Sequence, residues 1–229
     1  MSARRAPQVE KIAVYLESGR KRTFALAVDW PGWARPGKDE EGALDTLAGY
    51  VGRYAIVARA AGLAPPSADA RFEIVERVAG NATTEFGAPG VVPELDHRRM
   101  TAPDGERSST LVAAAWARFD DVVADAPATL RKGPRGGGRD RDAIVDHVLG
   151  AEHAFRRKAG LKSPAPKDRV GQDALREQFL DLLRSGHDPA DPDDATRAWP
   201  LPYAARRIAW HTLDHAWEIE DRVDPEPAR

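Results

Sequence analysis

The sequence predicts an α+β protein in two parts: a small ββαβ domain over residues 1–95, linker included, and a four-helix bundle over 96–229. Three observations predict this. In the first ninety-odd residues apolar side chains alternate at period two in short runs, the signature of half-buried strands. In the rest they recur at three and four residues over long runs, the signature of amphipathic helices. Between the two patterns, residues 81–96 are rich in Gly, Pro and Thr and read as a linker.

Ile12, Val14 and Leu16 form the first alternating run and Phe24, Leu26 and Val28 the second, with Ser18-Gly19-Arg20-Lys21 as the hairpin connection. After Pro31-Gly32 the period changes. From Asp39 onward, Leu44, Leu47, Ala48, Val51, Tyr54, Ala55 and Ala58 share one helical face, and Gly62 with Pro65-Pro66 ends that helix. Phe72, Ile74 and Val78 mark a third strand, so the expected sheet is small and has one covered face. Beyond the linker no convincing strand is found. Val112, Ala115, Trp116, Phe119 and Val122 or Val123 define a first bundle helix. Ile144, Val148, Ala151 and Phe155 define a second over about 140–158, Leu175, Phe179, Leu182 and Leu183 a third, and residues 204–222 form a fourth. Helices of that length joined by loops suit a four-helix bundle.

The 34 Lys and Arg residues nearly balance the 36 Asp and Glu. A nucleic-acid or polyanion binder draws its affinity from excess positive charge, so that class is disfavoured. No apolar run reaches membrane-spanning length and no signal-peptide core opens the chain, which sets the expectation of a soluble, cytoplasmic protein without a membrane partner. There are no cysteines, which removes disulfides, a Cys nucleophile and thiolate metal sites. Polar chemistry must therefore use His, Asp, Glu, Arg, Ser or Thr.

Six histidines are present, and two of them stand four apart in the fourth helix, at His211 and His215. At about 100° per residue they stack on one face, bordered by Ile208 and Ile219. Two stacked imidazoles can hold one divalent metal, but a site needs a third ligand. On the second helix His147 falls at the edge of the apolar face, whereas His153 lies at about 240° from it, beside Arg156 and Arg157 on the expected wet side. His147 is the ligand candidate and His153 a surface residue. His97 and His187 fall in expected loops. Three imidazoles leave coordination positions open, and all-nitrogen ligation suits Zn, Ni, Fe or Cu. A histidine pair of this spacing is also common as plain core packing, so both readings stand.

Glu218 is seven residues after His211 and shares its face. It is the candidate catalytic residue, as an orienting carboxylate or a general base, with an ordinary exposed helix glutamate as the alternative. The loop Lys132-Gly133-Pro134-Arg135-Gly136-Gly137-Gly138-Arg139-Asp140 enters the second helix. Its free backbone N–H groups, with Arg135 and Arg139, can take a carboxylate or phosphate, although a flexible connector has the same composition. It lacks the Lys-Ser/Thr ending of a P-loop.

Two resemblances follow from these residues. The C-terminal half, with Ile144-Val145-Asp146-His147-Val148-Leu149 and the His211/His215 pair, resembles the DinB/YfiT superfamily of metal-binding four-helix proteins, which includes thiol-dependent maleylpyruvate isomerases. The resemblance spans roughly residues 96–222. It implies a metal triad of His147, His211 and His215 holding Zn, Ni or Fe, a low-molecular-weight thiol as cofactor or partner, and S-transfer, isomerisation or hydrolysis of a small-molecule substrate. The N-terminal half resembles a HicB-like domain in two places. These are the turn Asp29-Trp30-Pro31-Gly32-Trp33, where Trp33 replaces the usual Cys, and the helix start Gly37-Lys38-Asp39-Glu40-Glu41-Gly42-Ala43-Leu44. No DNA-binding segment is appended, so the resemblance implies a dimerisation or substrate-gating module and a homodimer. The competing expectation is non-catalytic: a HicB-like interaction module fused to a structural bundle.

Overall fold

A computed structural model describes residues 9–133, 137–188, 190, 191, 193 and 196–223. The protein is mixed α+β, a four-stranded sheet followed by helices. It divides into two compact units, one within Met1–Asp29 and Trp33–Pro93, the other within Trp30–Gly32 and Glu94–Arg229. No helix among the described residues is long and apolar enough to cross a membrane.

The first unit contains β1 (Lys11–Ser18), β2 (Thr23–Ala27), β3 (Ala34–Gly37), α1 (Glu40–Gly49), α2 (Val51–Ala60), β4 (Arg71–Ala79) and α3 (Ala82–Phe86). The sheet order is β3-β2-β1-β4. The hairpin strands are antiparallel, and β4 pairs parallel to β1 after the α1–α2 crossover. A parallel return needs such a crossover, which is why the helices lie between these strands in sequence.

Three expectations are corrected here. The sheet has a fourth strand, β3, whose Ala-Arg-Pro-Gly sequence carries no alternation and places its proline on an edge strand, where a missing N–H costs least. The long helix breaks at Tyr50, which leaves helical geometry (φ −92°, ψ 0°) with Arg35 stacked 4.0 Å over its ring. The sheet is also not covered on one face only. All of β2 is buried, and in β1 even Glu17 is fully buried.

Glu17 explains why the expected linker is structured. Its carboxylate accepts the Thr84 hydroxyl and the backbone N–H groups of Gly90 (2.8 Å) and Val91 (3.1 Å). A buried carboxylate is tolerated when several donors satisfy it, and those donors tie residues 84–91 onto the strand. Asn81 caps α3 through a reciprocal capping box with Thr84.

The helix start is set by packing as well as by capping. Asp39 accepts from the Gly42 N–H at 2.9 Å. A Cβ at Gly37 would stand 2.1 Å from the Ala43 nitrogen, so β3 meets α1 only through glycine. Trp33 is a core residue that stacks on Tyr54 at 5.4 Å and donates to the Leu47 carbonyl at 2.9 Å.

The second unit holds a 3₁₀ turn (Glu94–His97), α4 (Ala102–Asp125), α5 (Arg141–Lys158), α6 (Arg169–Arg184) and α7 (Leu201–Arg222). Thr101 and Asp104 form the capping box that starts α4. Helix α7 packs against α4 and α5, and α4 also packs against α6. Phe119 and Val122 of α4, Ile144 and Val148 of α5, and Ala216 and Ile219 of α7 form one apolar cluster. The expected wet side of α5 is corrected. Arg156 is buried, paired with Glu152 one turn earlier at 2.5 Å, because α6 supplies Gln172 and Arg176 to the same carboxylate.

Candidate metal centre

Helix α7 is almost wholly buried along its middle, so its polar residues there must be satisfied inside the unit. His211 and His215 sit one turn apart with ring centroids at 4.7 Å. His147 on α5 faces both, at 5.0 Å from each ring. One ligand-capable atom from each of the three lies within 4.8 Å of the others. His211 Nε2 and His147 Nε2 are 3.2 Å apart. Two nitrogens bound tetrahedrally at about 2.05 Å to one zinc ion would be about 3.3 Å apart, so the spacing fits a shared ion. Three histidines from two helices are therefore close enough to hold a metal.

At His211 and His147 the electrostatics favour the neutral ring, the form that ligates metals. Burial pushes the His211 pKa down to about 2, and the positive fields of His215, Arg207, His147 and Arg139 add to it. His147 is also lowered, first by burial and then by His215 and Arg139, against an opposing pull from Glu218. Glu218 lies with Oε2 2.7 Å from His215 Nδ1 and Oε1 2.7 Å from Arg222 Nη1. The hydrogen bond to His215, with help from Arg222, holds the Glu218 carboxyl below its ordinary range. A carboxylate accepting from Nδ1 fixes the His215 tautomer and leaves Nε2 as the free donor atom.

An aromatic wall borders this cluster. Phe155 meets the His211 ring edge-on at 5.4 Å and Trp199 at 5.1 Å, and Arg207 lies 4.8 Å over Phe155.

No protein-family model, curated protein or solved structure matches this chain.

Both Glu218 oxygens are engaged, one with His215 and one with Arg222, which is the arrangement of an orienting carboxylate. Arg139 is exposed, and its charge is felt at His147 and His211. Arg135 lies outside the described residues. His153 makes no ring contact with the cluster and is half-buried; burial lowers its pKa, with Arg156 and Arg157 adding to the shift. His187 is buried and forms an isolated antiparallel bridge with Met100. Arg207 and Arg222 join the surroundings of the cluster although neither is marked by the histidine spacing. The Glu218/Arg222 spacing of four was a readable helix ion pair, whereas nothing local linked Arg207 to Phe155.

Proposed function

We propose that the helical unit is a divalent-metal site of the DinB/YfiT type, acting with a low-molecular-weight thiol on a small-molecule substrate. The reaction class is S-transfer, isomerisation or hydrolysis. The observation that carries this reading is the convergence of His147, His211 and His215 within 4.8 Å. A bound ion with open positions supplies a lowered pKa for a coordinated thiol or water. Glu218 holds the His215 ring in place, and the burial of His211 keeps that ring free of a competing proton. Arg139, exposed beside the cluster, is suited to a substrate or thiol carboxylate. The three-nitrogen set accommodates Zn, Ni or Fe.

One observation favours a second reading. The 3.2 Å between His147 and His211 is also the length of a direct imidazole–imidazole hydrogen bond. On that reading the histidines are packing residues, and the function lies in a HicB-like interaction module.

Elemental analysis of untagged protein separates the two. Metal binding predicts about one equivalent of ion in the parent and none in His147→Ala, His211→Ala or His215→Ala, with His153→Ala unchanged. No metal in any of them, even after addition of Zn or Ni, establishes the packing reading.

A further inference from the structure

Helices α5 and α6 approach each other less closely than α4 and α7, α4 and α6, or α5 and α7 do. Side chains bridge them instead: Gln172 and Arg176 of α6 reach Glu152 of α5 at 2.7 and 3.2 Å. Beside this bridge, bounded by α4, is a cleft of about 660 Å³. That volume lies in the range of small-molecule sites, roughly 300–1,000 Å³. Phe119, Val123, Val145, Leu149 and Pro166 supply its apolar wall.

The polar end of the cleft is charged but neutralised in pairs. Asp120 accepts from Arg169 (2.8 Å) and Arg176 (3.0 Å), Glu152 from Arg156 and Arg176, and Arg169 also bonds Asp173 at 2.7 Å. Three carboxylates thus meet three guanidinium groups, and the two further charged residues of the lining, Lys167 and Asp168, are of opposite sign, so the cleft carries no net charge to select a charged ligand. His153 contributes to the same wall. Its buried Nδ1 makes no hydrogen bond among the described residues, and neither does Gln172 Oε1, so the wall offers polar contacts to a ligand.

Gly150 also lines the cleft, in the middle of α5, where a Cβ would meet nothing within 4 Å. A mid-helix glycine costs about 1 kcal/mol relative to alanine. No packing contact explains it here, but the absent side chain leaves the cleft open.

We propose that this cleft is a binding site, separate from the histidine cluster, for a neutral, largely apolar small molecule carrying one hydrogen-bonding group. The apolar body lies against the α4 and α5 side chains and the polar group meets His153.

The test is a fluorescence titration of the full chain with prodan, a neutral naphthalene ketone whose emission shifts to the blue in apolar surroundings. The expected result is saturable one-to-one binding, weakened at least tenfold by Gly150→Leu, which fills the cleft without lowering the melting temperature. His153→Phe should weaken binding roughly two- to tenfold, the effect of one hydrogen bond. His211→Ala should leave it unchanged, and 2-naphthol should displace the dye far better than 2-naphthoate. Absence of saturable binding, equal affinity in Gly150→Leu, or loss in His211→Ala would each overturn the proposal. Displacement by 2-naphthoate as effective as by 2-naphthol would overturn the neutral-ligand assignment.

Discussion

Burial of a neutral histidine makes the helical unit sensitive to acid, and His211 sets the size of the effect. The residue is 8% exposed, and its pKa is held at about 2 in the folded chain against an ordinary value of 6.5. Between those values the unfolded chain takes up a proton that the folded chain refuses. Stability from this residue is therefore full above pH 6.5 and is lost progressively as pH falls through the window below it. Deep in that window each pH unit costs about 1.4 kcal/mol, but near 6.5 the unfolded ring is only half protonated, so the two units from 6.5 to 4.5 cost about 2 kcal/mol. The perturbation is His211→Gln, which keeps a polar side chain of similar reach but cannot titrate. The assay is urea unfolding of metal-free protein, with chelator present, followed by the fluorescence of the six tryptophans, of which buried Trp210 lies 6.3 Å from the His211 ring. The parent should lose about 2 kcal/mol more than the variant over those two units, whatever their relative stability at pH 7. Parallel pH profiles for the two proteins would refute the argument, because they would mean that His211 takes its proton without unfolding.

Two other outcomes follow from the same geometry. Glu218→Gln removes the carboxylate that orients His215 while leaving all three imidazoles, and should weaken metal affinity roughly 10- to 100-fold in a chelator competition. An unchanged affinity would remove Glu218 from the site. Glu152→Ala leaves Arg156 without its carboxylate partner and removes one of those of Arg176, with both guanidinium groups buried. Urea unfolding should show a loss of about 3–5 kcal/mol; a loss below 1 kcal/mol would show that water or Asp120 replaces the missing charge.

Features that depend on near neighbours in the chain were legible without a structure. The 3.6-residue repeat of α7 places His211 and His215 on one face, and the same geometry on α5 turns His147 toward them. The period-two runs marked β1, β2 and β4, and Asp39 occupies the cap where the first helix begins. Four residues of β3, containing a proline and a glycine, are too short to show a period, and the strand exists because β2 offers it a partner.

The tertiary structure decided what depends on distant partners. Arg156 reads as a solvent-facing cation on its own helix; Glu152 with Gln172 and Arg176 of α6 makes it a buried one. Residues 81–96 have the composition of a linker, yet the buried Glu17 carboxylate gathers donors from Thr84, Gly90 and Val91 and so orders residues 84–91. The pairing of Glu218 with His215 required rotamers as well as spacing. Periodicity records which face of an element is apolar, because that follows from the turn of one helix or the pleat of one strand. It carries no record of which charged group on another element will neutralise a buried one. Desolvation makes such a charge costly until its partner arrives, so its burial is determined only when the helices assemble.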